Sequence, residues 1–94
     1  MQEIVFEAPE RVDGNNASAV QEAMLEKLAD AAEGDLFVAD MTKTGYLSSA
    51  GLRSLTVVQK KMRALKGSFV LRNVNENLRD LLDVTGLSGY LPIE

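Results

Sequence analysis

This sequence contains no cysteine and no histidine. The lack of cysteine excludes disulfides, zinc sites built from thiolates and cysteine nucleophiles. The lack of histidine removes the usual general base and the most common metal-ligating side chain. A phosphate-binding loop of the form Gly-x4-Gly-Lys-Ser/Thr is also missing. These absences favour a protein that is not an enzyme and has no metal or cofactor.

Positive charge is scarce as well. Ten Lys and Arg residues stand against 14 Asp and Glu residues, for a formal net charge of -4. Nucleic-acid affinity comes largely from basic side chains that neutralise phosphates, so this balance argues against nucleic-acid binding. The longest basic cluster, Lys60-Lys61-Met62-Arg63 with Lys66 just beyond, is typical of a solvated helix face near a helix C-terminus.

Long apolar runs are absent too. No run approaches the length of a membrane span, and Met1-Gln2-Glu3 does not begin a basic-then-apolar signal pattern. We therefore expect a cytoplasmic protein that does not insert directly into a membrane.

The apolar residues that are present predict one α/β domain over residues 1–94. Three short apolar runs are typical of strands, and they lie at residues 4–6, 36–39 and 69–71. The second run is nearly continuous, as expected for a central parallel strand covered on both faces. Leu91-Pro92-Ile93 is a candidate for a further edge pairing, where proline is tolerated. The alternation of strands with helices predicts a mostly parallel sheet of about four strands, with the helices packed against it.

Polar caps and glycines mark the three predicted helices. The candidate N-caps are Asn15 or Asn16, Ser48 or Ser49, and Asn75. Apolar residues at spacings of three and four follow each cap, and in the first helix they continue to Ala31. We expect the helices to end at Gly34, Gly67 and Gly86, because glycine tolerates the left-handed conformation found at helix ends.

The start of the second helix is the most informative segment for function. In open α/β sheets the functional surface lies at the carboxyl ends of the strands, and this helix begins there. Ser48 and Ser49 place two hydroxyls at a helix N-terminus, which favours an anion such as a phosphate. One serine is enough for the cap, which leaves the other free. Ala50 and Gly51 would let a partner approach closely, although Gly51 is equally suited to packing between helix and sheet.

Catalytic alternatives are weaker. Ser49 has no histidine to activate it, and Lys43 in the preceding loop is more typical of a solvated lysine. Asp40, Asp13 and Glu10 are candidates for an ion site at the strand ends. The simpler interpretation of Asp40 is a turn residue that accepts backbone hydrogen bonds.

The same segment resembles the signature of STAS domains, the family that includes bacterial anti-sigma factor antagonists. The resemblance runs from Asp40-Met41 to Ser48-Ser49-Ala50-Gly51-Leu52-Arg53. Arg11-Val12-Asp13 is similar to the family's turn into the first helix. Leu82 to Leu87, continuing to Leu91-Pro92-Ile93, is similar to its C-terminal pattern.

The resemblance implies a function in protein binding. Family members bind an anti-sigma factor, often a serine kinase of the histidine-kinase-like ATPase fold, and so release a sigma factor. The kinase phosphorylates a residue at the start of the second helix, and a phosphatase reverses this. Because small residues and a free hydroxyl lie at the start of the second helix, we expect the partner to bind at Asp13, Thr44, Tyr46, Ser48, Ser49, Ala50, Gly51, Leu52 and Arg53.

Two positions depart from the family's Asp-Ser-Ser-Gly pattern, because Ser48 replaces its aspartate and Ala50 replaces its second serine. Ala50 stands where many members have the phosphorylated residue, so the resemblance implies phosphorylation of Ser49 or Ser48, or no phosphorylation. The alternative is a STAS subunit that is not switched, as in an ABC-type lipid or solute transporter.

Overall fold

The computed structural model describes all 94 residues, in five strands and three helices. In chain order the elements are β1 (Glu3–Glu7), β2 (Arg11–Val12), α1 (Ala17–Lys27), β3 (Leu36–Asp40), β4 (Tyr46–Leu47), α2 (Ser49–Ala64), β5 (Ser68–Arg72) and α3 (Glu76–Val84).

The main sheet is parallel, with the strand order β1-β3-β5. Strand β3 is central, and Phe37, Val38 and Ala39 are completely buried, as its nearly continuous apolar run predicted. Leu71 forms a further parallel bridge to Ile93 beside β5. The Leu71 amide donates a hydrogen bond to the Pro92 carbonyl oxygen at 2.8 Å. Proline can take part in this pairing because it lacks only the N–H donor and keeps its carbonyl acceptor. The prediction of a mostly parallel sheet of about four strands is confirmed.

A second, two-stranded parallel sheet pairs β2 with β4. It joins Arg11 to Tyr46 and Val12 to Leu47. Two residues per strand are too few for an alternating apolar pattern, so the sequence does not predict this sheet. We call it the β2–β4 ribbon. It connects the carboxyl end of β1 to the start of α2.

The core lies between the sheet and the helices. Helices α1 and α2 pack against each other, and α2 also contacts β5. The inner face of the sheet is filled by apolar side chains such as Phe37 and Phe69, whose rings stack with centroids 5.8 Å apart. Helix α2 adds Leu52, Leu55, Val58 and Met62, which are buried as the spacing predicted.

The ends of the first two helices differ from the predictions. Helix α1 ends at Lys27 with Leu28 as C-cap, so Ala31 lies outside it, and Gly34 takes its positive φ of 88° in the turn before β3. After α2 the left-handed residue is Lys66, with φ 59°, and not Gly67. The Gly67 amide instead donates to the Met62 carbonyl oxygen at 2.8 Å, the bond that closes a Schellman motif.

Helix α3 follows the prediction at both ends. The Asn75 side chain caps its start by accepting a hydrogen bond from the Leu78 amide at 2.9 Å. Gly86 ends it with φ 77°. None of the three helices combines the length and the apolar composition that crossing a bilayer requires.

Candidate functional site

The two serines at the start of α2 have different roles. Ser48 is the N-cap, and its Oγ accepts a hydrogen bond from the Gly51 amide at 3.3 Å. Ser49 is the first helical residue, and it is exposed with no hydrogen bond to its hydroxyl. The prediction that one hydroxyl caps the helix and the other stays free is confirmed. We refer to Ser48, Ser49 and Ala50 as the α2 head.

The α2 head is anchored to the β2–β4 ribbon. The Ser48 amide donates to the Val12 carbonyl oxygen at 2.9 Å. A Cβ atom on Gly51 would lie 2.6 Å from that same oxygen and 3.2 Å from a methyl group of Leu47. Gly51 is therefore required for packing, because only glycine allows this close approach.

An aromatic and charged surface lies beside the α2 head. Tyr46 is 44% exposed, and the Arg11 guanidinium lies 4.4 Å from the centre of its ring. The Arg11 Nε donates to the Asp13 carboxylate at 3.3 Å. A shallow groove follows this surface, lined by Glu10, Arg11, Lys43, Gly45 and Tyr46.

Asp13 connects this surface to α1. The Asn15 amide donates to its carboxylate at 2.9 Å and holds the pKa of Asp13 below its usual value, with a smaller contribution from Arg11. The Asp13 carbonyl oxygen accepts from the Ala17 amide at 2.8 Å, at the start of α1. Asn16 occupies the N-cap position, but its side chain does not cap the helix and accepts from the Asp13 amide instead. The carboxylate of Asp13 is thus ionised and half-buried near neutral pH.

Thr44 is 1% exposed. Its Oγ1 donates to the Pro9 carbonyl oxygen at 2.8 Å, and its own carbonyl oxygen accepts from the Asn75 side chain at 3.1 Å. Thr44 therefore fastens the loop before β4 to the segment after β1 and to the start of α3.

Asp40 is occupied in a local turn. Its Oδ1 accepts from the Thr42 hydroxyl at 2.6 Å, from the Thr42 amide at 3.0 Å and from the Asn73 side chain at 3.2 Å. These hydrogen bonds, with the Thr42 hydroxyl contributing most, lower the pKa of Asp40. The turn interpretation of Asp40 is confirmed. No group of three or more acidic side chains is arranged to hold a metal ion, and the Lys43 Nζ lies 3.4 Å from the Glu7 carboxylate.

The structure divides the sequence-predicted site residues into two sets. Those at least partly accessible are Asp13, Tyr46, Ser48, Ser49, Ala50 and Arg53. Those buried are Thr44, Gly51 and Leu52, which position the accessible set and do not offer a side chain to a partner. Sequence reasoning missed Arg11, although it lies in the quoted Arg11-Val12-Asp13 segment, because its contact with Tyr46 depends on the β2–β4 ribbon.

Comparisons with known proteins agree on one family. The family model described as the STAS domain matches residues 2–94. The chain is 34% identical over 80 residues to BtrV of Bordetella bronchiseptica, covering 84% of this chain and 68% of that protein. It is 30% identical over 90 residues to an anti-sigma-B factor antagonist of Listeria monocytogenes, an alignment that covers 96% of this chain and 76% of that protein. The crystal structure of an anti-sigma factor antagonist from Mycobacterium paratuberculosis is similar, with a TM-score of 0.80 and 25% sequence identity. The match covers 95% of this chain and 74% of that one.

Proposed function

This chain belongs to the STAS domain family of anti-sigma factor antagonists, and we propose that it binds an anti-sigma factor through the α2 head and its surroundings. The observation that carries the proposal is the free, exposed hydroxyl of Ser49 beside the capping Ser48. In this proposal the chain acts in the cytoplasm and catalyses no reaction itself.

Several features support this surface as the contact. Ala50 is small and half-buried, so a partner's backbone can approach the first turn of α2. Tyr46 and Arg53 are exposed and lie close to the α2 head in the sequence, and aromatic and arginine side chains are those that contribute most at protein interfaces. The ionised carboxylate of Asp13 offers an acceptor for a basic side chain of the partner.

The second element of the proposal is a phosphorylation switch at Ser49. The free amides and the positive end of the helix dipole stabilise a phosphate at this position locally. Arg53 lies four residues further along α2, a spacing that brings side chains together on a helix. The same phosphate adds about -1.5 to -2 charges to the contact surface and so weakens binding to the anti-sigma factor. A phosphatase then restores the binding form.

Incubation with the cognate serine kinase and ATP tests the switch. Peptide mass spectrometry is expected to locate one phosphate on Ser49, and the variant Ser49→Ala is expected to lose it. Ser48 is the less accessible alternative, because its Oγ already accepts a hydrogen bond from the Gly51 amide. A phosphate outside this pair, or none after complete turnover of a control substrate, would contradict the switch.

Ala50 favours a second candidate function. An alanine cannot be phosphorylated, and its occurrence in the α2 head is consistent with an unswitched STAS subunit of another assembly, such as an ABC-type transporter. A complex whose affinity is the same with and without ATP and kinase would support this second function. Permease and ATPase genes beside this gene would support it too.

A further inference from the structure

Charge is strongly segregated along this chain. Residues 41–75 contain seven of the ten basic residues and none of the 14 acidic residues. Five of the seven lie in α2 or directly after it, namely Arg53, Lys60, Lys61, Arg63 and Lys66. An overall net charge of -4 therefore conceals one helix that is purely basic.

The basic side chains of α2 share one exposed face. Arg53, Val57, Lys60 and Ala64 follow each other at spacings of four, three and four residues, which places them in a single row on an α-helix. Lys61 and Arg63 flank this row and are exposed. We call Arg53, Lys60, Lys61 and Arg63 the basic ridge. It starts one turn beyond the α2 head and follows a helix about 24 Å long.

The basic ridge has no acidic partner within the molecule. The four ion pairs of the structure use Arg11, Lys43 and Arg72 only. Arg63 lies over the ring of Tyr90, 5.4 Å from its centre, in a cation–π contact that supplies no negative charge. Favourable interaction with the helix dipole accounts for cations in the last turn of α2, namely Lys61 and Arg63, but not for Arg53, the fifth residue of the helix.

We propose that the basic ridge binds an acidic surface of the partner protein whose main contact is the α2 head; this rests on the proposed function. The partner would extend from Ser49 and Arg53 along α2, with carboxylates opposite Lys60 and Lys61. Complementary charge of this kind accelerates association and fixes the orientation of the partner.

The surroundings of the basic ridge favour a protein over a nucleic acid or a membrane. Helix α1 packs directly beside α2 and exposes Glu22 and Glu26. Exposed carboxylates thus lie on the helix that is packed next to the one carrying the basic ridge. An extended polyanion or a lipid surface would meet those carboxylates, whereas a protein can present its own acidic residues to one helix alone.

Charge reversal on the basic ridge tests the proposal with the purified chain and its anti-sigma factor. We expect Lys60→Glu to lower the association rate constant about threefold to tenfold and to reduce its dependence on salt. The matched control is Arg79→Glu on α3, because Arg79 is exposed and has no ion pair. An equal effect of both variants, or none, would overturn the basic ridge as a contact.

The outcome is separable from that of the proposed function. If Ser49→Asp weakens the complex and Lys60→Glu does not, the α2 head remains the site and the ridge is overturned. If Lys60→Glu alone slows association, the ridge is supported and the α2 head is overturned.

A second measurement needs no partner. Titration of the 15N-labelled chain with a peptide of ten glutamates is expected to shift the signals of Arg53, Lys60 and Lys61 more than those of Lys43 and Arg79. Uniform shifts at all exposed cations would overturn the ridge. Tighter binding of a DNA duplex or of phosphatidylglycerol vesicles at the same residues would overturn its assignment to a protein partner.

Discussion

The amide of Ser48 donates a hydrogen bond to the carbonyl oxygen of Val12 at 2.9 Å. This single bond joins the residue that caps α2 to a strand that lies 36 positions earlier in the chain. It places the α2 head beside Arg11 and Asp13, so that one surface is built from two distant segments. The geometry of the candidate site therefore depends on how closely α2 approaches the β2–β4 ribbon.

Gly51 tests that close approach. We expect Gly51→Ala to lower the free energy of unfolding by about 1–3 kcal/mol, because the added methyl group overlaps the Val12 carbonyl oxygen. Gly14→Ala is the matched control, since nothing lies within 4 Å of the added methyl group there. Urea unfolding monitored by circular dichroism measures both variants. Equal stability of the two variants would contradict the packing role of Gly51.

The two serines of the α2 head are expected to differ in their effect on stability. Ser48→Ala removes the N-cap hydrogen bond to the Gly51 amide and should cost about 0.5–1 kcal/mol. Ser49→Ala removes an exposed hydroxyl without a partner and should change stability by less than about 0.5 kcal/mol. Thermal unfolding of the two variants under identical conditions provides the comparison. A larger loss for Ser49→Ala would reverse the assignment of cap and free hydroxyl.

Hydrogen-bonded carboxylates, among them three aspartates, make the stability of the fold sensitive to acid. The pKa values of Asp13, Asp35 and Asp40 are lowered from 3.8 in the folded state. For Asp35 the main cause is the amide of Ala32, followed by that of Gln2. A carboxyl group with a depressed folded pKa stabilises the fold fully above its unfolded pKa, and this contribution is lost as the pH falls through the folded pKa.

We therefore expect the free energy of unfolding to be nearly constant from about pH 7 to pH 5 and to fall below about pH 4. Asp35→Asn should make the fall less steep, because the variant has one titrating group fewer. Asp30→Asn is a suitable control, since Asp30 is exposed and forms no hydrogen bond or ion pair. Urea unfolding midpoints of the wild type and of both variants, measured across this pH range, test this prediction. An Asp35→Asn profile parallel to that of the wild type would refute the role of this carboxylate.

The three strands of the main sheet and the starts of α2 and α3 were predictable because their signals are local. The apolar run of β3 and the Asn75 cap of α3 depend on neighbouring residues only, and both predictions are confirmed. The end of α1 was not predictable in this way. The Asp35 carboxylate accepts hydrogen bonds from the backbone amides of Ala32 and Gln2, and Gln2 lies 33 residues earlier in the chain. The Ala32 amide closes a turn over residues 32–35, where local spacing favoured more helix, and the Gln2 amide holds that turn against the start of β1.

The candidate site was predictable in part for the same reason. Ser48 and Ser49 are recognisable from the sequence because capping is a local event. The burial of Thr44 is not, since it follows from a hydrogen bond to Pro9 across 35 positions. Arg11 joined the site only through the pairing of β2 with β4. Side chains brought together by long-range pairing need a structure to be found.

The affinity of the chain for its anti-sigma factor tests the central proposal most directly. Isothermal titration calorimetry with the wild type, Ser49→Asp and Ser49→Ala compares a negative charge at the α2 head with a neutral truncation. We predict that Ser49→Asp weakens binding about tenfold or more, because the added charge must be desolvated in the interface, whereas Ser49→Ala binds nearly as the wild type does. The same dissociation constant for all three proteins would show that the partner does not contact the start of α2.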